Sequence, residues 1–202
     1  MDNTVGRLNH KLSKLQKSLI IGSLLGDGYM RIIEGRADAF LEINHSAKAK
    51  EYVDWKYNIL KNICASAPKE RVSGVGRTAY RFFTKQSPEL TAIYKVFYKN
   101  KKKIIPKTLQ IDPAILAIWY MDDGSKTINK DNSSNVNIYL NTQQFSMNDQ
   151  KFLLHLLREF GINARLNKDK QYHRIRILKE SIDKFMKIID TEIEKSMRYK
   201  MI

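Results

Sequence analysis

Two short segments of this chain repeat one pattern. Ile20-Ile21-Gly22-Ser23-Leu24-Leu25-Gly26-Asp27-Gly28 and Leu116-Ala117-Ile118-Trp119-Tyr120-Met121-Asp122-Asp123-Gly124 are each an apolar run of helical length that passes directly into an acid and a glycine. Asp27 and Asp123 stand close to half of the 202-residue length apart, so the chain reads as one unit used twice. If the two helices pack side by side with both ends on one surface, their two carboxylates converge.

The acids occupy the unfavourable end of their helices. Gly28 and Gly124 suit the position just past a helix C-terminus, where glycine most easily adopts a left-handed backbone. Asp27 and Asp123 then lie in the last turn, beside unpaired carbonyls and the negative end of the helix dipole, which costs about 0.3–1 kcal/mol each. Something positive should compensate. An ordinary C-cap with an Asp turn would explain either segment alone; two copies at matched spacing make that reading harder to hold. Converging carboxylates repel unless cations lie between them, and hard oxygen donors of this kind suit Mg²⁺.

The same elements occur twice along the chain. After the first apolar helix come strands near Tyr29–Ile33 and Ala37–Ser46, a helix over Lys48–Cys64, and strands near Glu70–Val75 and Arg77–Thr84. Ser87-Pro88-Glu89 supplies an N-cap, a proline at N1 and an early acid for the next helix. In the second half Pro113 opens the apolar helix, strands follow near Ser125–Ile128 and Val136–Gln143, and Ser146 caps a helix that closes before Gly161. Strands near Asn163–Asn167 and Tyr172–Leu178 and a helix over Glu180–Ile189 complete it. The order αββαββα, twice, predicts an α+β fold. Residues 1–99 form the first repeat, 113–202 the second, and the lysine-rich stretch 100–112, with Pro106, is a linker.

These residues resemble the paired signature of the LAGLIDADG homing endonucleases, the second copy being most similar to the branch of the yeast mitochondrial omega-intron enzyme. Lys103-Ile104-Ile105-Pro106, Leu140-Asn141-Thr142-Gln143 and Met197-Arg198-Tyr199-Lys200-Met201 resemble segments of that branch in the same order, so the likeness covers about Leu15 to Met201. The second copy departs from the name-giving pattern, with Ile118 where the first has Gly22 and Asp122 where it has Gly26; close helix contact there would rely on Ala114 and Ala117. The resemblance implies two saddle-shaped antiparallel sheets joined by the packed pair of signature helices. It also implies a monomeric DNA endonuclease that makes a double-strand break with short 3′ overhangs, Asp27 and Asp123 holding metal with help from the carbonyls of Gly26 and Asp122. Lys103 and Lys200 would orient water or neutralise developing charge, and Gln143 would hold the attacking water network. Two diverged halves in one chain suit an asymmetric site. The alternative on the same scaffold is an intron RNA maturase, and a binding-only regulator is a third.

The strands indicate what is gripped. In Val136–Gln143 apolar and polar residues alternate, so Val136, Ile138 and Leu140 pack inward while Asn137, Tyr139 and Asn141 face out. In Tyr172–Leu178, Ile175 and Ile177 turn inward and leave Arg174 and Arg176 on the open face, with Arg165 and Asn167 beside them. Tyr29, Arg31, Asn44, Arg77 and Arg81 are the counterparts in the first half. Asn suits adenine and Arg suits guanine in the major groove, although ordinary solvent-facing strands would look the same residue by residue. Lys and Arg number 36 against 21 Asp and Glu, a net charge of +15, a balance that favours polyanions. No run reaches the roughly 18 apolar residues of a membrane span and no signal-peptide core stands at the start. The expectation is an intracellular protein, in a mitochondrion, chloroplast or bacterial cytoplasm, and not a secreted one. Cys64, the single cysteine, reads as a core residue; His10, His45, His155 and His173 lack zinc spacing and receive no catalytic role, His173 alone being placed near DNA.

Overall fold

The computed structural model describes residues 11–72, 76–129 and 132–202, and for 129 and 132–135 the backbone alone. Helix α1 (Lys14–Leu25) leads into strands β1 (Tyr29–Ile32) and β2 (Ala39–Ser46), helix α2 (Lys50–Leu60), strands β3 (Lys69–Val72) and β4 (Thr78–Phe83), and helix α3 (Pro88–Phe97). After the short strands β5 (Tyr98–Lys99) and β6 (Lys102–Lys103) the order recurs: α4 (Pro113–Asp123), β7 (Gly124–Asn129), β8 (Asn132–Leu140), α5 (Met147–Glu159), β9 (Ala164–Asp169), β10 (Tyr172–Ile177) and α6 (Ile182–Ile189). The two four-stranded sheets have matching orders, β1-β2-β4-β3 and β7-β8-β10-β9, and every pairing in them is antiparallel. The end of the strand expected at Glu70–Val75, residues 73–75, lies outside the described residues.

Helix starts are set by side chains that capture free N–H groups. Ser13 and Gln16 form a reciprocal capping box on α1, Ser87 accepts from Leu90 N at 3.3 Å, and Ser146 accepts from Asp149 N at 3.1 Å. Asp112 caps α4 through Ile115 N at 2.7 Å, and its other oxygen accepts from Ser18 of α1 at 2.7 Å. That second bond ties the start of α4 to the first turns of α1, so the two helices run parallel and their C-termini meet.

Glycine lets them meet closely. A Cβ on Gly22 would sit 2.7 Å from Ile118 Cβ, and one on Gly26 would sit 2.4 Å from Asp122 Cβ, so the residues by which the second copy departs from the first fill the gaps its glycines leave. The contact expected to rest on Ala114 and Ala117 is therefore made by unlike partners, large against absent. Gly28 and Gly124 also act otherwise than expected. Gly124, at the end of α4, has an extended backbone, and neither it nor Gly28 has a positive φ. A side chain on Gly28 would strike the Ser23 backbone at 2.8 Å, and one on Gly124 would strike the Tyr120 ring at 2.0 Å. Close packing, rather than left-handed backbone, demands glycine at both. Gly161, after α5, is the helix-terminating glycine that does take φ 65°.

The core is continuous across both halves. Leu19, Ile20, Leu24 and Leu25 of α1 and Leu116, Ala117, Trp119 and Tyr120 of α4 are fully enclosed, as helices apolar on all sides must be. The inner faces of the sheets complete it through Leu41, Ile43, Phe82, Ile138, Leu140 and Ile175. Cys64 is buried as expected, and burial pushes its thiol up to about 12. The linker is more ordered than expected. Residues 98–103 form a hairpin whose turn places Asn100 and Lys101 at φ 51° and 61°, while Ile105 and Leu109 are anchored in the core. Among the described residues no helix is long and apolar enough to cross a membrane.

Candidate active site

Two parallel helices that end together would normally leave a cluster of unpaired carbonyls and two negative dipole ends in one place. Lysines answer it. Lys103, delivered by the hairpin, donates to Gly26 O and Gly28 O, both at 2.9 Å. Lys200, from the C-terminal 3₁₀ turn at Lys195–Lys200, donates to Met121 O at 2.6 Å and Gly124 O at 2.9 Å, with Asp122 O at 3.5 Å. Each helix end thus has its own ammonium, the compensating positive groups that the sequence required. Burial pulls Lys103 down to about 8 against the pull of Asp123, Asp122 and Asp27 in the other direction; burial lowers Lys200 for the same reason.

The two acids differ. Asp27 has a side chain 46% exposed, and His45 Nδ1 lies 3.4 Å from it. Burial raises its carboxyl, but the hydrogen bond and charge of His45, with Lys56 and Lys103, outweigh burial and hold it below the ordinary value. Asp123 is more enclosed. Burial first, then the like charges of Asp27 and Asp122, push it up to about 7, against the opposing effect of Lys103 and Lys200. Gln144 donates weakly, at 3.4 Å, to both Asp123 Oδ2 and Gly26 O, so a single amide bridges the acid of one helix end and the carbonyl of the other.

A cleft of about 740 Å³ opens over these groups, lined by Asp27, Tyr29, Tyr98, Lys103, Asp123 and Gln144 among others, and a second of about 720 Å³ lies against Asp27, Asn44, His45 and Arg77. Asp27 belongs to both, so two concavities of similar size meet at the helix ends. The strand registers place the other expected residues on the open faces. Asn137 and Tyr139 share a face with Arg176, Arg165, Arg174 and Asn167, and Tyr29, Arg31, Asn44 and Arg81 share one in the first half. Arg77 is exposed just before β4, and Asn141, just past β8, donates its N–H to Asp123 O at 3.0 Å.

Several arrangements were not foreseen. Gln143 donates to Asp169 at 2.8 Å, and its neighbour Gln144 reaches the acids instead. Tyr139 is 9% exposed, its ring covered by the Arg174 guanidinium. His45, given no role from sequence, stands between Asp27 and Asp122. Behind it lies a buried polar cluster: Lys56 Nζ is 2.6 Å from Asp122 Oδ1 and 3.0 Å from Ser23 Oγ, and Tyr52 donates to the same Asp122 oxygen at 2.7 Å. Both Lys56 and Asp122 have fully buried side chains. The Asp122 carboxylate is thereby committed to the protein interior, and only its carbonyl faces the helix-end cluster. Lys56 sits on α2, where its spacing resembles any solvated lysine, so only a hint of three-dimensional register could have revealed it.

Known proteins with this architecture agree with the geometry. The chain is 27% identical over 199 residues, 95% of its own length and 85% of the relative's, to a probable intron-encoded endonuclease 1 of Wickerhamomyces canadensis. It is 30% identical over its whole length to the cytochrome b mRNA maturase bI2 of Saccharomyces cerevisiae, of which it spans 49%. Its fold superposes on that of the homing endonuclease I-WcaI bound to its DNA recognition sequence with a TM-score of 0.86, at 27% identity, covering 95% of this chain and 88% of that one. The family model for LAGLIDADG DNA endonucleases matches residues 17–185, and the protein belongs to that family.

Proposed function

We propose that this protein is a site-specific DNA endonuclease that acts as a single chain on a long asymmetric duplex, cutting both strands by divalent-metal-dependent phosphodiester hydrolysis to leave 3′ overhangs. The observation that carries the reading is the meeting of Asp27 and Asp123 at two parallel helix ends, under clefts flanked by two basic sheet faces. The two acids fit a metal. Among the described residues no three His, Cys, Asp or Glu side chains gather as a closed ligand set, so an ion would rest on Asp27, Asp123, the Gly26 and Asp122 carbonyls and water. Such an open oxygen site suits Mg²⁺, which keeps several waters. When bound, the ion supplies charge stabilisation and an activated water for in-line attack on phosphorus. The chain does the rest. Lys103 and Lys200, fixed at the helix ends, place positive charge where the phosphate becomes more negative. Gln144 and Gln143 line the cleft, where amides can orient water. The sheets hold the duplex so that its backbone crosses the acids.

The match to a yeast maturase over half of that protein's length favours one second reading, in which the scaffold also binds intron RNA. Selection of cleaved sites from a randomised duplex library, run with Mg²⁺ and with EDTA, separates the two. A single asymmetric motif cut only with Mg²⁺ is the expected result. Tight binding to intron RNA with no cutting at all would move the reading to maturase.

Stability should depend on the ion in a pH-dependent way. Asp123 is held near 7 against an ordinary 3.8, so the metal-free folded state keeps a proton that the unfolded chain releases, and this group costs stability as pH rises from about 4 to about 7. A divalent ion reverses that cost. Mg²⁺ should therefore raise the thermal midpoint more at pH 8 than at pH 5, read by thermal scans with Mg²⁺ or EDTA; an equal or larger shift at pH 5 would contradict the assignment of Asp123.

A further inference from the structure

The open face of the second sheet is organised around two arginines that lean the same way. On β10, Arg174 and Arg176 stand two residues apart on the outward side, while Ile175 and Ile177 between and after them are buried. Each crosses diagonally to β8. Arg174 lies over the Tyr139 ring, with its guanidinium carbon 3.9 Å from the ring centroid, and Arg176 Nη2 donates to Asn137 Oδ1. The register pairs Arg176 with Tyr139 directly, so both contacts are to the diagonal neighbour, a separation that long side chains span on a sheet. Tyr139 and Asn137, which from sequence alone resemble base contacts, are spent on holding arginines.

The stack also limits which edge the Arg174 guanidinium presents. Arg174 Nε is buried and has no hydrogen-bond partner among the described residues, an arrangement that native proteins rarely keep without a use. With Nε enclosed, the fork left to Arg174 is its two terminal nitrogens, neither of which is buried without a partner. Neither Arg174 nor Arg176 has an acidic partner among the described residues. The first sheet is different: Arg81 is 3.5 Å from Glu42 and lies over Phe83 at 5.0 Å, and Arg31 covers Phe40 at 5.2 Å. Charge there is partly neutralised and the centre of the face is aromatic.

Resting on the endonuclease reading above, we propose that Arg174 and Arg176 are a preassembled pair of guanine readers for one half of the DNA site, with Tyr139 and Asn137 as their positioning residues. A forked guanidinium matches O6 and N7 of guanine in the major groove, the commonest specific arginine contact. Fixing the fork in advance removes the ordering cost of a long flexible side chain. Phosphate contacts need no such support, and the many exposed lysines suffice for them. Residues two apart on a strand lie about 6.6 Å apart, close to the roughly 6.8 Å of two base-pair steps, so the two guanines fall within one short stretch of the same half-site.

The test is the library selection repeated with Arg174→Lys, Arg176→Lys and Asn137→Ala beside the wild type. Each lysine variant keeps the charge and loses the fork. The expected result is a fall of about tenfold to a hundredfold in preference for guanine at one position per variant, both in the same half-site, with preferences in the other half-site unchanged. Asn137→Ala should relax the Arg176 position alone, a position-specific change that general loosening of the fold would not produce. At Tyr139, phenylalanine should retain the Arg174 preference and leucine should lose it. A wild type that cuts, with both lysine variants retaining full guanine preference, overturns this inference and leaves the endonuclease standing. A wild type that cuts no duplex overturns both.

Discussion

Lys56→Met should lower the thermal midpoint by about 6–20 °C or prevent folding. The lysine is fully buried and lies 2.6 Å from Asp122 Oδ1, with Tyr52 donating to the same oxygen. Removing one partner of a buried ion pair leaves the other charge enclosed and unpaired, which costs about 3–5 kcal/mol, a large share of the roughly 5–15 kcal/mol that keeps a domain folded. For a chain of this size each kcal/mol moves the midpoint by about 2–4 °C. Burial and the Asp122 charge hold the Tyr52 hydroxyl well above its ordinary value, so it stays a donor and cannot replace the missing positive charge. The double variant Lys56→Met/Asp122→Asn should recover most of the loss, because no charge then remains in the cluster. A single variant within about 2 °C of wild type would mean that water or His45 compensates and that the pair does not hold the helix ends.

Asp27→Asn and Asp123→Asn should each bind the duplex and fail to cut it. Both substitutions keep size and remove the charge that an ion needs, so cleavage should fall beyond the roughly 10–100-fold that loss of a merely supporting group costs. Nicking assays on the selected site, with binding followed by mobility shift, would measure both. Thermal scans without metal provide a second reading that activity cannot. The Asp123 carboxyl is raised to about 7, so its charge destabilises the folded state at pH 8 and asparagine should raise the midpoint. The Asp27 carboxyl is lowered, so its charge stabilises the folded state and asparagine should lower the midpoint. Shifts of the same sign would overturn the picture of two unlike acids, whatever the cleavage data show.

The duplication, the strand alternation and the helix caps were legible because they are written in local spacing. Ser87, Ser146 and Pro113 announce helix starts, and Ile138, Leu140, Ile175 and Ile177 announce which strand face is inward. The acids stand out in the paired motifs, whereas Lys103 and Lys200 are singled out only through the resemblance to the family. What could not be read depends on contacts between distant segments. Gly28 and Gly124 look like left-handed caps until the Ser23 backbone and the Tyr120 ring are seen beside them. Lys56 and His45 belong to different elements of the first half and meet only because α2 and β2 flank the end of α4. The choice between Gln143 and Gln144 turns on one residue of loop geometry after β8, which no periodicity records. Alternation puts Asn137 and Tyr139 on the outward face, yet their contacts with Arg176 and Arg174 depend on the diagonal lean of side chains across the sheet.

The hairpin at residues 98–103 has a consequence for recombination. Lys103 lies beyond α3 in the chain, yet its ammonium serves the end of α1, so the connection between the halves is itself part of the polar cluster at the first helix end. A chimera that joins the first half of this protein to a foreign second half must carry the crossover past Lys103 and the buried Ile105. Exchange at an earlier point would hand one partner's helix end to the other partner's lysine. Gene fusion in such a lineage is therefore constrained less by the two repeats than by the short ribbon that joins them.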